Sequence, residues 1–228
     1  MKRIICLAAV LAVPGAAAPA AAQMFGNPVY VPVGVGTGVN IAGDYGRGLN
    51  DASGKGDYFG GRVALGLPML YVTAGVGTYK PDGATESEMT FGGALGLNVL
   101  RLPMMPVKVS LQAGAGYTKF GGDKLIDIPV SLGIGLALPT PGLSITPWVA
   151  PRLHVRILSP ESSLLDTETA TRFGASGGVN AAFGLIGVHL AVDYISFSAP
   201  AGSGQTSGDV SPLVFGAGID VGLKVPGL

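Results

Sequence analysis

Leu125-Ile126-Asp127-Ile128-Pro129-Val130-Ser131-Leu132-Gly133-Ile134-Gly135-Leu136-Ala137-Leu138 decides the fold. Ile126, Ile128, Val130, Leu132, Ile134, Leu136 and Leu138 fall on one parity; Asp127, Pro129, Ser131, Gly133, Gly135 and Ala137 fall on the other. That period of two belongs to a β-strand, whose successive side chains point to opposite faces. The same alternation marks 33–43, where Val33, Val35, Thr37, Val39 and Ile41 oppose Gly34, Gly36, Gly38, Asn40 and Ala42. It marks 106–118, with Val107, Val109, Leu111, Ala113, Ala115 and Tyr117 against Lys108, Ser110, Gln112, Gly114, Gly116 and Thr118. It returns in 212–225, where Leu213, Phe215, Ala217, Ile219, Val221, Leu223 and Val225 oppose Val214, Gly216, Gly218, Asp220, Gly222 and Lys224.

The two faces are unlike in bulk. One carries large apolar groups, the other glycine with scattered charges. A soluble sandwich buries its bulky faces in a core about 10 Å thick and leaves a polar face in water, which calls for no glycine. A membrane barrel turns the bulky face to lipid and crowds small or polar groups into its lumen.

Composition agrees. Of 228 residues 38 are Gly and only 12% are charged, against about 25% in an ordinary soluble domain. Mean hydropathy is +0.49. Two uncharged stretches are long enough to suggest membrane helices, but Ile128 to Pro151 holds five prolines and Phe173 to Val192 five glycines. Neither sustains a helix. In lipid the remaining way to satisfy the backbone is a closed barrel. Formal net charge is zero, so there is no basic stripe for nucleic acid.

Residues 1–22 read as a signal peptide: Lys2 and Arg3, an apolar core from Ile4 to Val13, the break at Pro14-Gly15, and Ala20-Ala21-Ala22 before Gln23. The apolar run is too short to span ~30 Å as a helix. The single cysteine, Cys6, lies within this leader, which leaves the mature chain no disulfide and no thiolate metal ligand. Residues 23–228 form the barrel domain.

The remaining strands are read at 57–67, 69–79, 88–99, 143–157, 170–183 and 187–198. The fold expected is thus an all-β, transmembrane, antiparallel up-and-down β-barrel of about ten strands, eight being the alternative. Most strands approach the ~9–11 residues a tilted strand needs to cross a bilayer. Short turns fall around Leu67-Pro68, Leu102 to Pro106, Pro139 to Gly142 and Gly184 to Gly187. Longer polar links fall at Asp44 to Gly56, Lys80 to Ser87, Phe120 to Lys124, Ser159 to Thr169 and Ala199 to Ser211. Short periplasmic turns and longer outer loops are the pattern of bacterial outer-membrane barrels, with both termini periplasmic. Tyr45, Tyr58, Phe59, Tyr79, Phe91, Tyr117, Phe120, Phe173, Tyr194, Phe197 and Phe215 gather near the long-loop ends, as an aromatic girdle would; Tyr71 and Phe183 supply a thinner inner one.

From about Val33 to Val225 the chain resembles the small outer-membrane β-barrel proteins of the OmpA-like and opacity-protein kind. The signal peptide, the glycine-rich strands and the terminal Gly216-Ala217-Gly218-Ile219-Asp220-Val221-Gly222-Leu223 carry that resemblance. It departs from them in ending Lys224-Val225-Pro226-Gly227-Leu228, without a final aromatic. The resemblance implies a bacterial outer-membrane location. The partners expected are outer-membrane lipid, lipopolysaccharide and the barrel-assembly machinery, with oligomeric state left open.

Parity places Arg62, Lys108, Asp127, Arg152, His154, Arg156, Arg172, Asp193 and Asp220 in the lumen as a charge cluster, with Asp44 on the same face near the outer mouth. Arg152, Arg156 and Arg172 should need carboxylates, from Asp193, Asp44, Glu161, Asp166 or Glu168. A catalytic reading would rest on His154. A protease-type site wants an acidic pair with a His–Asp pair, and a deacylase-type site wants His and Ser two apart, which His154-Val155-Arg156 does not give. No catalytic residue, metal or cofactor is expected: two distant histidines make no metal shell, and the glycines lack the strand–turn–helix setting of a phosphate loop. The role expected is structural or surface-interacting, with the lumen plugged by ion pairs. A narrow porin-like channel for small anions is the alternative, and a barrel enzyme a distant third.

Overall fold

The computed structural model describes residues 24, 27–28, 36–53, 55–101, 106–120, 122–161, 167–196 and 211–225. The proposed leader, Val33 and Val35 of the first expected strand, the segments 162–166 and 197–210 with Phe197, and the last three residues lie outside them. The strands are β1 (Gly38–Gly48), β2 (Asp57–Gly66), β3 (Leu70–Lys80), β4 (Glu88–Arg101), β5 (Val107–Phe120), β6 (Asp123–Leu136), β7 (Leu138–Thr140), β8 (Leu143–Ser159), β9 (Glu168–Phe183), β10 (Ile186–Ser196) and β11 (Leu213–Leu223). A 3-10 turn, Asp51–Ser53, lies between β1 and β2.

Each strand pairs antiparallel with its neighbours in the order β6-β5-β4-β3-β2-β1-β11-β10-β9-β8, and β6 also pairs with β8. The first and last strands join along Val39↔Leu223 to Gly48↔Val214, so no edge is left open to another chain. The short β7 continues β6 beyond Ala137 against the start of β8. The wall is therefore a closed ten-strand barrel.

Polarity is inverted relative to a soluble protein. β10, Ile-Gly-Val-His-Leu-Ala-Val-Asp-Tyr-Ile-Ser, alternates strictly between exposed and buried. Val188, Leu190, Val192 and Tyr194 face outward, while His189, Ala191, Asp193 and Ile195 face the lumen. Leu132, Ile134 and Ile219 are likewise exposed, at 37%, 40% and 65%. The lumen holds the buried polar groups, Asp44, Asp127, Arg152, His154, His189 and Asp193 among them.

Four expectations are corrected. β1 runs on to Gly48, so Asp44 lies within the wall, not in a loop at the mouth. Its turn-forming glycines are overridden by pairing on both flanks, with β2 and β11. The connection after β5 is no long loop: β5 ends at Phe120 and β6 begins at Asp123. Strict alternation of connection length fails there, because both strands lengthen until the hairpin closes. The longer strands also carry Arg47, Lys119 and Lys124 onto the outward parity at the outer rim, where loop positions were expected.

The fourth correction concerns the girdle. Tyr58, Tyr71 and Tyr79 are buried at 0%, 0% and 2% exposure, inside the barrel. Glycines on the same and neighbouring strands leave room for the rings. A Cβ at Gly77 or Gly60 would collide with Tyr58, and one at Gly96 with Tyr71. Phe59, Phe91, Phe173 and Tyr194 do face outward, and Tyr45 packs on Phe59 with ring centroids 5.0 Å apart. Phe183 is exposed at the inner end.

Prolines sit within strands, and the ladder breaks beside two of them. The β5–β6 pairing lapses between Ala113↔Val130 and Gly116↔Asp127, across Pro129, with the register unchanged. That of β6–β8 lapses between Ser131↔Arg152 and Ile134↔Val149, across Pro151, again in the same register. A proline nitrogen has no hydrogen to donate to the ladder.

Candidate functional site: the charged lumen

The inward charges separate into two decks. The inner deck joins four strands around the closing seam. Arg62 on β2 donates to Asp44 on β1 through Nε at 3.0 Å and Nη2 at 3.2 Å. His189 on β10 brings Nε2 within 2.8 Å of Asp44 Oδ1 and Nδ1 within 3.3 Å of Asp220 Oδ1. Asn40 on β1 completes the row, donating to Asp220 Oδ2 at 2.6 Å. A bidentate guanidinium–carboxylate contact fixes geometry as well as charge. The row Arg62–Asp44–His189–Asp220–Asn40 thus ties β2, β1, β10 and β11 together.

The outer deck occupies β6, β8, β9 and β10. His154 Nδ1 lies 2.8 Å from Asp127 Oδ2, and Arg156 Nε lies 3.7 Å from Asp127 Oδ1. Arg152 is paired directly with Asp193, which also accepts from Ser176 Oγ at 3.0 Å. Arg152, His154 and Asp193 are 4%, 0% and 2% exposed. Charges buried to this degree are tolerable only when paired and hydrogen-bonded. Arg172 stands opposite His154 in register and donates from Nη1 to the Thr171 carbonyl at 3.2 Å.

Seven of the nine sequence-predicted lumen residues therefore enter these decks: Arg62 and Asp220 the inner one, Asp127, Arg152, His154, Arg156 and Asp193 the outer one. Arg172 adjoins the outer deck. Lys108 borders the cavity at the inner opening. Asp193 neutralises Arg152 as expected, but Asp44 does not serve the arginine cluster, being held by Arg62 and His189. Asp127 takes that place for Arg156. Glu161 reaches the adjoining hairpin instead, its backbone N–H donating to Asp123 Oδ1 at 2.9 Å. Asp166 lies outside the described residues.

Sequence reasoning missed Asn40 and Ser176 as partners, although both lie on the inward parity. His189 draws its two carboxylate neighbours, Asp44 and Asp220, from other strands. Trp148, whose Nε1 donates to Asn180 Oδ1 at 3.0 Å, fills the inner lumen beside them.

At the inner end a cavity of about 340 Å³ is bordered by Asn40, Arg62, Lys108, Asn180, Asp220 and Lys224, among others. In the outer half a space of about 40 Å³ lies between Asn27, Thr118, Asp127, Arg156 and Asp193. That holds a few waters at most. In the outer turn, Asp51 and Lys55 pair at 2.6 Å, which raises the Lys55 ammonium above its ordinary value.

A closed antiparallel barrel, apolar outside and charge-paired inside, is the class that fold and lumen define. Among solved structures, similar chains include the N-terminal β-barrel domain of OprF from Pseudomonas aeruginosa, at 13% identity and TM-score 0.37, covering 82% of this chain and 98% of that one. LpxR from Salmonella typhimurium matches at 11% identity and TM-score 0.43, covering 82% and 100%. The outer-membrane protease OmpT from Escherichia coli matches at 10% and 0.39, covering 82% and 94%. No family model and no curated protein sequence matches the chain. The fold assignment stands on the closed strand order and the inverted polarity.

Proposed function

We propose that this chain is a bacterial outer-membrane β-barrel with a closed lumen, serving a structural or surface-interaction role. The apolar exterior of a barrel with no free edge supports the membrane, since such a surface would aggregate in water. The shorter connections beside Gly38 and Leu223 support periplasmic termini. Outer-membrane lipid and lipopolysaccharide are its proposed surroundings, and the barrel-assembly machinery its route there.

The observation that carries the closed lumen is the pairing of Arg152 with Asp193, beside Asp127 with His154 and Arg156. These groups neutralise one another and occupy the β6–β8–β10 side of the outer half, so the described residues there form no open file of cations to attract anions. Burial supports a non-enzymatic reading: His154 is 0% exposed, with Nδ1 held by Asp127 and Nε2 turned toward the backbone at Gly174, so its ring meets no substrate from outside.

A narrow anion-favouring conduit is the second reading, favoured by Arg62, Lys108 and Lys224 around the inner cavity. It requires the outer deck to part. Planar-bilayer recordings on the chain purified from outer membranes separate the two. The closed barrel gives no steady openings, and Arg152→Ala with Arg156→Ala gives leak and lower stability. Sustained anion-selective openings of the unaltered protein, lost in that double variant, would overturn the closed reading.

A further inference from the structure

Three residues that belong to no strand are buried in the lumen: Met24, Asn27 and Pro28. Met24 and Asn27 are each only 4% exposed. The Tyr58 hydroxyl donates to Met24 Sδ at 3.1 Å, and Met24 forms one apolar cluster with Tyr58 and Tyr79. Its methyl group occupies the space that a side chain at position 75 would need: a Cβ on Gly75 would come within 2.8 Å of Met24 Cε. Asn27 turns back on Met24, its N–H donating to the Met24 carbonyl at 3.0 Å. On its other side Asn27 borders the narrow outer space with Asp127, Arg156 and Asp193. Thus Met24 rests on β2 and β3, and Asn27 faces the deck on β6, β8 and β10. Together they bridge the half of the lumen that the ion pairs leave unfilled.

We infer that the barrel wall builds a seat for the chain's own Met24 and Asn27, and that these residues are a stopper completing the closure of the outer lumen. The inference rests on the closed-barrel reading and assigns half of that closure to a segment outside the sheet. The seat is specific in shape. Gly75 supplies the hollow, Tyr58 the donor, and a thioether fits an irregular gap beside aromatic rings better than a branched side chain does. The leader read from the sequence ends at Ala22, so cleavage leaves a single residue, Gln23, ahead of Met24.

Met24→Cys, made in the full chain and purified after processing, tests the seat, because Cys6 leaves with the leader and the introduced thiol is then alone. Modification by a bulky maleimide should be at least about a hundredfold slower in the folded barrel than in the unfolded chain, since reaction waits on local opening. A rate equal to that of the unfolded chain would overturn the seat. Met24→Glu tests the stopper, with Met24→Gly as the milder change should the first fail to fold. Either variant, with its strand content intact by circular dichroism, should show bilayer conductance at least about tenfold above the unaltered protein. A record as closed as the unaltered one overturns the stopper. Conductance already open in the unaltered protein, with the introduced thiol of Met24→Cys still protected, refutes the closed lumen and the stopper while leaving the seat in place.

Discussion

His189 Nε2 reaches Asp44 Oδ1, 2.8 Å away, across an intervening strand. His189 is on β10 and Asp44 on β1; between them, in register with both, is Gly218 of β11. The missing side chain of Gly218 is the gap through which the pair forms. A Cβ there would overlap His189 and come within 2.8 Å of Asp44 Oδ1 and 2.5 Å of the Gly43 carbonyl.

Gly218→Ala should therefore part the pair and loosen the seam that closes the barrel. Loss of a buried hydrogen bond to a charged group costs about 1.5–3 kcal/mol, and urea unfolding in lipid vesicles would measure it. Gly43→Ala is the control, because a Cβ there meets nothing within 4 Å. Equal midpoints for the two variants would show that Gly218 is not the gap.

Arg152→Ala leaves Asp193 buried without the cation that neutralises it. Removing one member of a buried pair costs about 3–5 kcal/mol. Arg152→Met combined with Asp193→Leu should recover most of that loss, since no isolated charge remains. A double-mutant cycle in the same unfolding assay gives the coupling, and simple additivity would contradict the contact.

Leu190 lies midway along β10 on the outward face, 47% exposed. Leu190→Arg should cost about 2–4 kcal/mol at the bilayer midplane, whereas Phe183→Arg at the inner strand end should cost only about 0–1 kcal/mol. Refolding equilibria in lipid would show this depth dependence. A neutral Leu190→Arg would mean that this face does not meet lipid.

Lys119 and Lys124 face each other in register where β5 turns into β6. Both are exposed on the outward parity. Like charges directly opposite repel, so Lys124→Glu should raise stability slightly in zwitterionic lipid, and added salt should shrink the gain. Thermal scans at low and high salt read both effects.

What the sequence determined by itself was the face of each side chain. Period two is a property of one strand, so Ile134 outside and Asp127 inside followed from parity alone, and a two-faced strand set with no soluble core implied closure. The preference of tyrosine for an interface reads Tyr58, Tyr71 and Tyr79 as girdle residues, but they lie inside, where glycines beside the rings leave them room. The tertiary structure decided which inward groups meet. Asp127 rather than Asp44 serves the outer arginine cluster, and His189 bonds across Gly218, because contacts around a lumen depend on the stagger between strands. That stagger is set by the ladder closing around the whole ring, and no local pattern encodes it. The burial of Met24 was invisible for the same reason: its seat is built from β2 and β3, far along the chain, and exists only once the barrel has closed.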